Sequence, residues 1–587
     1  MKERLGRPGW RCAVGLAVLG LLSVLLPACR ETPPGSPLAA ADPGPAPRRE
    51  PVTGVPGGRL RYALVGDPET FNLTAATDNR SRLLAGLLTA TLLEFDPVTQ
   101  EVVPGLAEEY EILEPGKRIR VRLRPGVKYS DGQPFQTEDV LFSLDCLYSP
   151  SSQNVLRDAL QWGEGRLQAS VVAERTLEIL APQPVPNLPY LLSTIPLLPR
   201  HRLQAYADRI EQAWDVATAP EEIVGLGPFR LREHVPGRHT ILERNPYYWR
   251  VDEAGRPLPY LDEIEVVYVE DPNSRVLLLD QGEIDFLDQG LRPEDLTFLR
   301  TRSHLVVEDF GPSNHVLLLW FNLNFPAAGR NDGYDWFRRR EFRRAISAAV
   351  DREALVQNVF GGYATPARSL IPPANRRWHD PAQSCPAYDP EAARRILEQA
   401  GFRRREAPGG AVCLDPAGRP VRFQLLSRPE DQYARTGAVI VEDLKRLGIA
   451  VEFQQEEFRA VVRRILSGAD YDAALMALEV PLEPLDMANV LRTGGQMHLW
   501  RTTAGDPFPW ELEIDRLMDE LAGNVEPAVR QRLFSRLQEI LAEECPVIPL
   551  VHRNFVVVRR KGVAGLETGT VFPYAWARPW RIFLAER

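Results

Sequence analysis

The chain has 587 residues, 44% of them hydrophobic and 25% charged. That is an ordinary globular composition, but the length exceeds one core, so two or more folding units are expected. The formal net charge of −9 argues against nucleic acid and against anionic lipid as partners of the body, since both call for a basic surface.

The first residues form a separate object. Lys2, Arg4, Arg7 and Arg11 precede an apolar run from Ala13 to Leu26, too short for a comfortable membrane span and typical of an export signal. The run ends in LLPAC, which resembles a bacterial lipobox and implies cleavage after residue 28 and lipidation of Cys29. Residues 29–57, rich in Pro, Gly and Ala without apolar periodicity, read as a flexible tether between lipid and body. Four cysteines remain in the body: Cys146, Cys385, Cys413 and Cys545. Export permits disulfides. Cys385 and Cys413 bracket one helix and a turn-rich loop, so a bridge between them is expected, whereas Cys146 lies on the apolar side of a helix and reads as a buried thiol.

Along the body, RIRVRLR from Arg118 places Ile119, Val121 and Leu123 on one face and arginines on the other, a half-buried strand. The arginine face is expected to be solvated and paired with Glu108, Glu109, Glu111 and Glu114. Turns follow at Pro125-Gly126 and Asp131-Gly132. Next comes a helix capped by Thr137, with Val140, Leu144 and Leu147 on its apolar side. Strands are expected at EIEVVYVE from Glu263, HVLLLWFNLNF from His315 and IAVEFQQ from Ile449. Phe342, Ala345, Ile346 and Ala349 recur at helical spacing with arginines opposite. In YDPEAARRILEQAGF, Asp389 caps a helix, Pro390 begins it and Gly401 ends it. Without a fixed-period repeat, intermixed strands and helices give a mixed α/β (α+β) fold class.

The sequence offers no catalytic or metal constellation: no G-x-S-x-G elbow, H-E-x-x-H helix, phosphate-cradling loop or C-x-x-C pair. Gly225-Leu226-Gly227 runs into Pro228 and reads as a turn. His234 and His239 flank Pro236-Gly237 and read as a turn tip, so no metal, cofactor or enzymatic activity is expected.

The stretch LRPGVKYSDGQPFQTEDVLFSL resembles a signature of the bacterial extracellular solute-binding proteins of family 5, the peptide- and nickel-binding components of ABC importers. The likeness continues in order through GLGPFRLREHVPGRHTILERNPYYW, LPYLDEIEVVYVEDPNSRVLLLDQGEIDF, REFRRAISAAVDREALVQNVFGGYATPA and YDPEAARRILEQAGF. The resemblance implies a two-lobed clamp of the periplasmic-binding-protein kind with a discontinuous first lobe. Residues 58–314 and 546–587 would form lobe one and residues 315–545 lobe two. The crossovers would lie near His315 to Phe325 and Pro546 to Asn554. The ligand would sit between the lobes, and the DGQPF stretch would be lobe-one scaffold that touches no ligand.

Peptide-binding relatives carry a Trp and then an amine-holding Asp after the strand that YDAALMAL resembles. Here Leu478 stands near the Trp and Val480 or Pro481 near the Asp, with Glu479, Glu483 and Asp486 close by but out of register. Candidate ligand contacts are therefore Glu479, Trp320, Asn322 and Asn324 on or beside the crossover, and His498 and Trp500, with Met497, after the Gly494-Gly495 loop. Phe71 and Trp162 are weaker candidates. The reading is a monomeric, lipid-anchored binder that delivers an oligopeptide or similar small polar solute to an ABC permease in the membrane. The alternatives are an oligosaccharide binder, a secreted lipoprotein hydrolase with a carboxylate pair in its cleft, or a receptor that signals or chaperones without transport.

Overall fold

The computed structural model describes residues 53–161, 165–324, 335–408, 410–467, 470–502 and 506–585. The export signal, Cys29, most of the tether and Trp162 lie outside the described residues. Local structure follows the sequence pattern closely. Arg118–Leu123 is a strand between Ala107–Glu114 and Thr176–Leu180. Its arginines are solvated and paired as expected: Arg122 with Glu109 at 2.8 Å, Arg118 with Glu114 at 3.1 Å and Arg120 with Glu111 at 3.4 Å, with Glu178 added at 2.7 Å.

Two local expectations need correction. The helix Thr137–Leu147 is capped one residue earlier, at Gln136, whose N–H donates to Asp139 Oδ2 at 2.9 Å. In Arg340–Ala349, Arg343 is not on a solvent face. It is buried, and its guanidinium donates to Glu544 O at 2.8 Å and to Phe337 O at 3.0 Å. The helix is wrapped on that side, and these bonds satisfy the charge. Helix Pro390–Gln399 is capped as expected by Asp389, which accepts from the Ala392 N–H at 2.8 Å. The Gly-Leu-Gly segment is more than a turn. A β-carbon on Gly225 would lie 1.9 Å from Leu88 O, so the glycine allows the chain to pass directly over the end of helix Asn79–Leu88.

One 11-stranded sheet runs through the molecule. From one edge it comprises Ala450–Gln455, Arg422–Ser427, Ala473–Glu479, Leu305–Phe321 and Val547–Arg560. It continues through Phe286–Leu287, Arg59–Leu64, Glu263–Tyr268, His239–Arg244 and Phe229–Val235, with Ala364–Pro366 beside Val547–Arg560. A separate four-stranded sheet holds Ala107–Glu114 and Arg118–Leu123.

The described residues fall within one unit, Ala46–Arg587, yet their apolar side chains gather in distinct cores. The largest core draws only on the middle of the chain, from Val316 to Val551. Two others combine early residues such as Leu60, Tyr62 and Val276 with late ones such as Phe555, Val558 and Trp576. Early and late segments thus share one half and the middle segment builds the other. A further core, from Leu92 to Leu226, includes Tyr129 and Phe135 of the DGQPF region. It gives the first half a subdomain that the sequence reading did not separate.

Candidate functional site: the joint between the cores

Two long antiparallel strands, Leu305–Phe321 and Val547–Arg560, pass from one half to the other. Leu305 and Val558 belong to the first half, and Val316–Phe321 and Val547–Val551 to the second. The pairing register shifts between Asp309 and Pro312 and again between Pro312 and Val316. Gly311 there has φ +81°, and its N–H donates to Asp309 Oδ1 at 2.9 Å. Gly, a proline without an N–H and a broken ladder concentrate backbone freedom at this point, which is where a clamp needs it.

Polar side chains converge just past the irregularity. Glu479, half-buried, ends its strand opposite His315. Its Oε1 accepts from Asn314 Nδ2 at 3.3 Å and lies 3.3 Å from the Tyr574 hydroxyl. That hydroxyl is also 3.0 Å from Asn314 Oδ1, and Asn314 Nδ2 donates to Val480 O at 3.1 Å. Tyr574 comes from the other half, where its ring stacks on Phe555 with centroids 4.7 Å apart. Burial and then the charge of Glu479 push the Tyr574 phenol well up, so it stays a neutral donor.

Arg553, on the return strand, completes the cluster. It is half-buried, and its guanidinium makes no hydrogen bond or ion pair to another described residue. Burial lowers its pKa, opposed by Tyr433, Glu430 and Tyr574 nearby. Burial also pushes His315 down, with Glu479 pulling it up and Arg553 pushing it further down. A carboxylate and an arginine without an ion partner therefore flank a neutral imidazole at the joint. Sequence reasoning missed Arg553, Tyr574 and Asn314. Only the pairing of distant strands brings them together, and the PLVHRNF stretch carries no motif that would single out its arginine.

The other candidates are structural. His498 and Trp500 are fully buried in the second core. His498 Nε2 lies 3.0 Å from Glu511 Oε1, the Trp500 indole N–H donates to that oxygen at 2.9 Å, Arg501 reaches Oε2 at 3.0 Å, and the Phe508 N–H donates to Oε2 at 2.8 Å. Burial raises the Glu511 pKa, but these bonds outweigh it and leave it lowered. The polar edges of His498 and Trp500 are thus taken up by Glu511 and present no face to a ligand, while Met497 is exposed. Trp320 is core at 2% exposure. Asn322 donates to Tyr471 O at 2.8 Å, and Asn324 Nδ2 donates to Asn322 Oδ1 at 2.6 Å. These amides tie off the strand end. Phe71 is core as well. Of the other nearby acids, Glu483 is held by Arg530 at 3.0 Å, while Asp486 is exposed near Tyr190 of the first half.

The expected Cys385–Cys413 bridge is absent. All four described cysteines are free buried thiols. Cys413 lies in a hairpin strand within the second core, while the Cys385 sulfur points instead toward Val547 O at 4.0 Å. The halves also touch away from the joint. Gln100 Nε2 donates to Ala374 O and Arg376 Nη2 to Val98 O, each at 2.6 Å.

Two halves joined by paired crossing strands, with polar groups gathered at the joint, define a clamp-type solute-binding fold. A family model for bacterial extracellular solute-binding proteins, family 5, matches residues 101–493, and the chain belongs to that family. The oligopeptide-binding protein AppA of Bacillus subtilis is 25% identical over 553 residues, covering 92% of this chain and 93% of the relative. The dipeptide-binding protein of Escherichia coli is 24% identical over 533 residues, covering 86% and 91%. The crystal structure of the ABC transporter substrate-binding protein CtaP of Listeria monocytogenes superposes with a TM-score of 0.76 at 20% identity. That match covers 90% of this chain and 100% of the other, a likeness of fold.

Proposed function

We propose that this protein captures an oligopeptide or similar small zwitterionic solute at the joint and delivers it to an ABC permease. The observation that carries the reading is the placement of Glu479 and Arg553 on strands that meet at the joint, either side of His315. Glu479 suits an ammonium or hydroxyl group of the solute, and Arg553 a carboxylate. Glu479 thereby takes over the task for which the family's aspartate is missing. AppA and the dipeptide-binding protein bind peptides by name, which supports the same class here. Mass spectrometry of what co-purifies with the protein tests it. A zwitterionic solute is expected, released unchanged. At about 100 times its Kd it should stabilise the fold by about 2.7 kcal/mol. A neutral saccharide in the cleft, or a solute returned hydrolysed, would overturn the reading.

The LLPAC ending supports a lipid anchor at Cys29 on the periplasmic or extracellular face of a membrane, with residues 29–57 as tether. Stable attachment needs more than one acyl chain. Cys29→Ser should abolish lipid labelling and processing; a variant still labelled and membrane-bound would refute the anchor.

A further inference from the structure

Cys385 and Cys545 are 160 positions apart in the chain but share one buried site, 3% and 0% exposed. Cys545 ends helix Pro527–Glu544, with its Sγ 3.2 Å from Ala542 O, and it precedes the return strand by two residues. The Cys385 sulfur is directed at Val547 O, the first residue of that strand. Each S–H donates to a backbone carbonyl of the same helix-to-strand passage, Val547 O for Cys385 and Ala542 O for Cys545, and each thiol is the strongest influence on the other's titration. A cavity of about 10 Å³ borders Cys385, Ala542 and Val547, which gives the Cys385 sulfur room to adjust.

The backbone makes the same point. Cys545 has φ 45° and ψ 49°, the left-handed conformation of a helix end. Glycine serves there without penalty, whereas a β-carbon is crowded. A cysteine held at a glycine position needs a compensating role for its side chain, and the Cys385 thiol, with Arg343 and Arg344, is among the groups that act on it.

We propose that Cys385 and Cys545 form a disulfide in the exported protein, tying the segment that enters helix Pro390–Gln399 to the start of the return strand. The surroundings suit the chemistry. The neighbouring Cys545 thiol and the charges of Arg352, Arg344 and Arg368 hold the Cys385 thiol down against burial, which favours the thiolate. As the exported chain folds and before this site closes, the Cys385 thiolate attacks the disulfide of an exported thiol oxidant, forming a mixed disulfide and expelling one thiolate of the oxidant. Cys545, deprotonated, then attacks the Cys385 sulfur and expels the second. Two protein thiols lose two electrons and two protons, and the oxidant's disulfide becomes two thiols. Cys146 and Cys413 take no part, because they sit elsewhere, Cys146 in helix Thr137–Leu147 of the first half and Cys413 in the hairpin strand Gly410–Leu414.

The test is non-reducing peptide mapping of full-length protein exported to an oxidising compartment and alkylated before unfolding is reversed. Linked peptides carrying Cys385 and Cys545 are expected, with Cys146 and Cys413 alkylated. Alkylation of all four, or any other pairing, would overturn the proposal. A second measurement avoids reliance on one preparation. Wild-type protein should lose several degrees of Tm on reduction, and Cys385→Ala should not respond to reductant. Cys545→Gly should match or exceed reduced wild type yet fall below oxidised wild type. A Cys545→Gly variant more stable than wild type under both conditions would contradict the bridge.

Discussion

The Tyr574 hydroxyl and Glu479 Oε1 lie 3.3 Å apart although Tyr574 packs in a core of the first half and Glu479 ends a strand, Ala473–Glu479, rooted in the second. The contact spans the joint at the level where the two crossing strands lose register. Under the proposed function, a solute bound at Glu479 would act on both halves at once, which would couple occupancy to closure through a shared group.

Separating the structural aromatics from the site gives the first prediction. Trp500 fills the second core and donates to Glu511, so Trp500→Ala should cost about 3–5 kcal/mol of stability. Glu511→Ala leaves Arg501 buried without its carboxylate and should cost a similar amount, about 3–5 kcal/mol. Urea unfolding without ligand reads both. Folded protein that survives should bind solute with unchanged affinity, and a loss of affinity at intact stability would return Trp500 to the site.

Asp288 gives a pH dependence. Its carboxyl is 6% exposed, accepts from the Tyr62 hydroxyl at 2.6 Å and is lifted by burial to about 6. In the unfolded chain it ionises near about 3.9. Between about pH 4 and 6 the native state keeps a proton that the unfolded state has lost. Stability therefore falls as pH rises through that window and levels off above it, by on the order of 2–3 kcal/mol. Asp288→Asn should remove this component and raise stability at pH 7.5 relative to wild type. Urea midpoints for the two proteins that run parallel from pH 4.5 to 7.5 would show that Asp288 does not titrate in this way.

The contact of Gln100 and Arg376 with opposing backbone lies away from the ligand groups and holds the halves together. Removing both side chains should favour the open clamp without touching the solute. Gln100→Ala with Arg376→Ala should raise the dissociation rate several-fold, with the association rate little changed. Stopped-flow kinetics checks this, and an unchanged dissociation rate would mean that the contact does not hold the clamp shut.

Local elements were legible because alternation, caps and helical spacing act over a few residues. RIRVRLR and the Asp389-Pro390 start fold as their patterns dictate. The place of Glu479 at the end of an apolar strand was legible too, and its role toward a solute is the proposal. Trp500 and His498 were misplaced because a Gly-Gly loop suggests exposure, whereas the buried carboxylate that holds them comes from the following helix. Arg553 and Tyr574 were invisible for a different reason. Their meaning depends on a strand pair that brings residue 553 beside residue 315, and no local pattern encodes that approach. The cysteine pairing failed likewise, since proximity in sequence favoured Cys413 while the fold put Cys545 beside Cys385.

The central claim is that a zwitterionic solute is held at the joint by Glu479 and Arg553, and titration calorimetry with the co-purified solute tests it most directly. Glu479→Gln and Arg553→Gln each remove a charged hydrogen bond, worth about 1.5–3 kcal/mol. Each should therefore weaken binding roughly tenfold or more while leaving unliganded stability near that of wild type. Affinities equal to wild type in both variants would contradict the account.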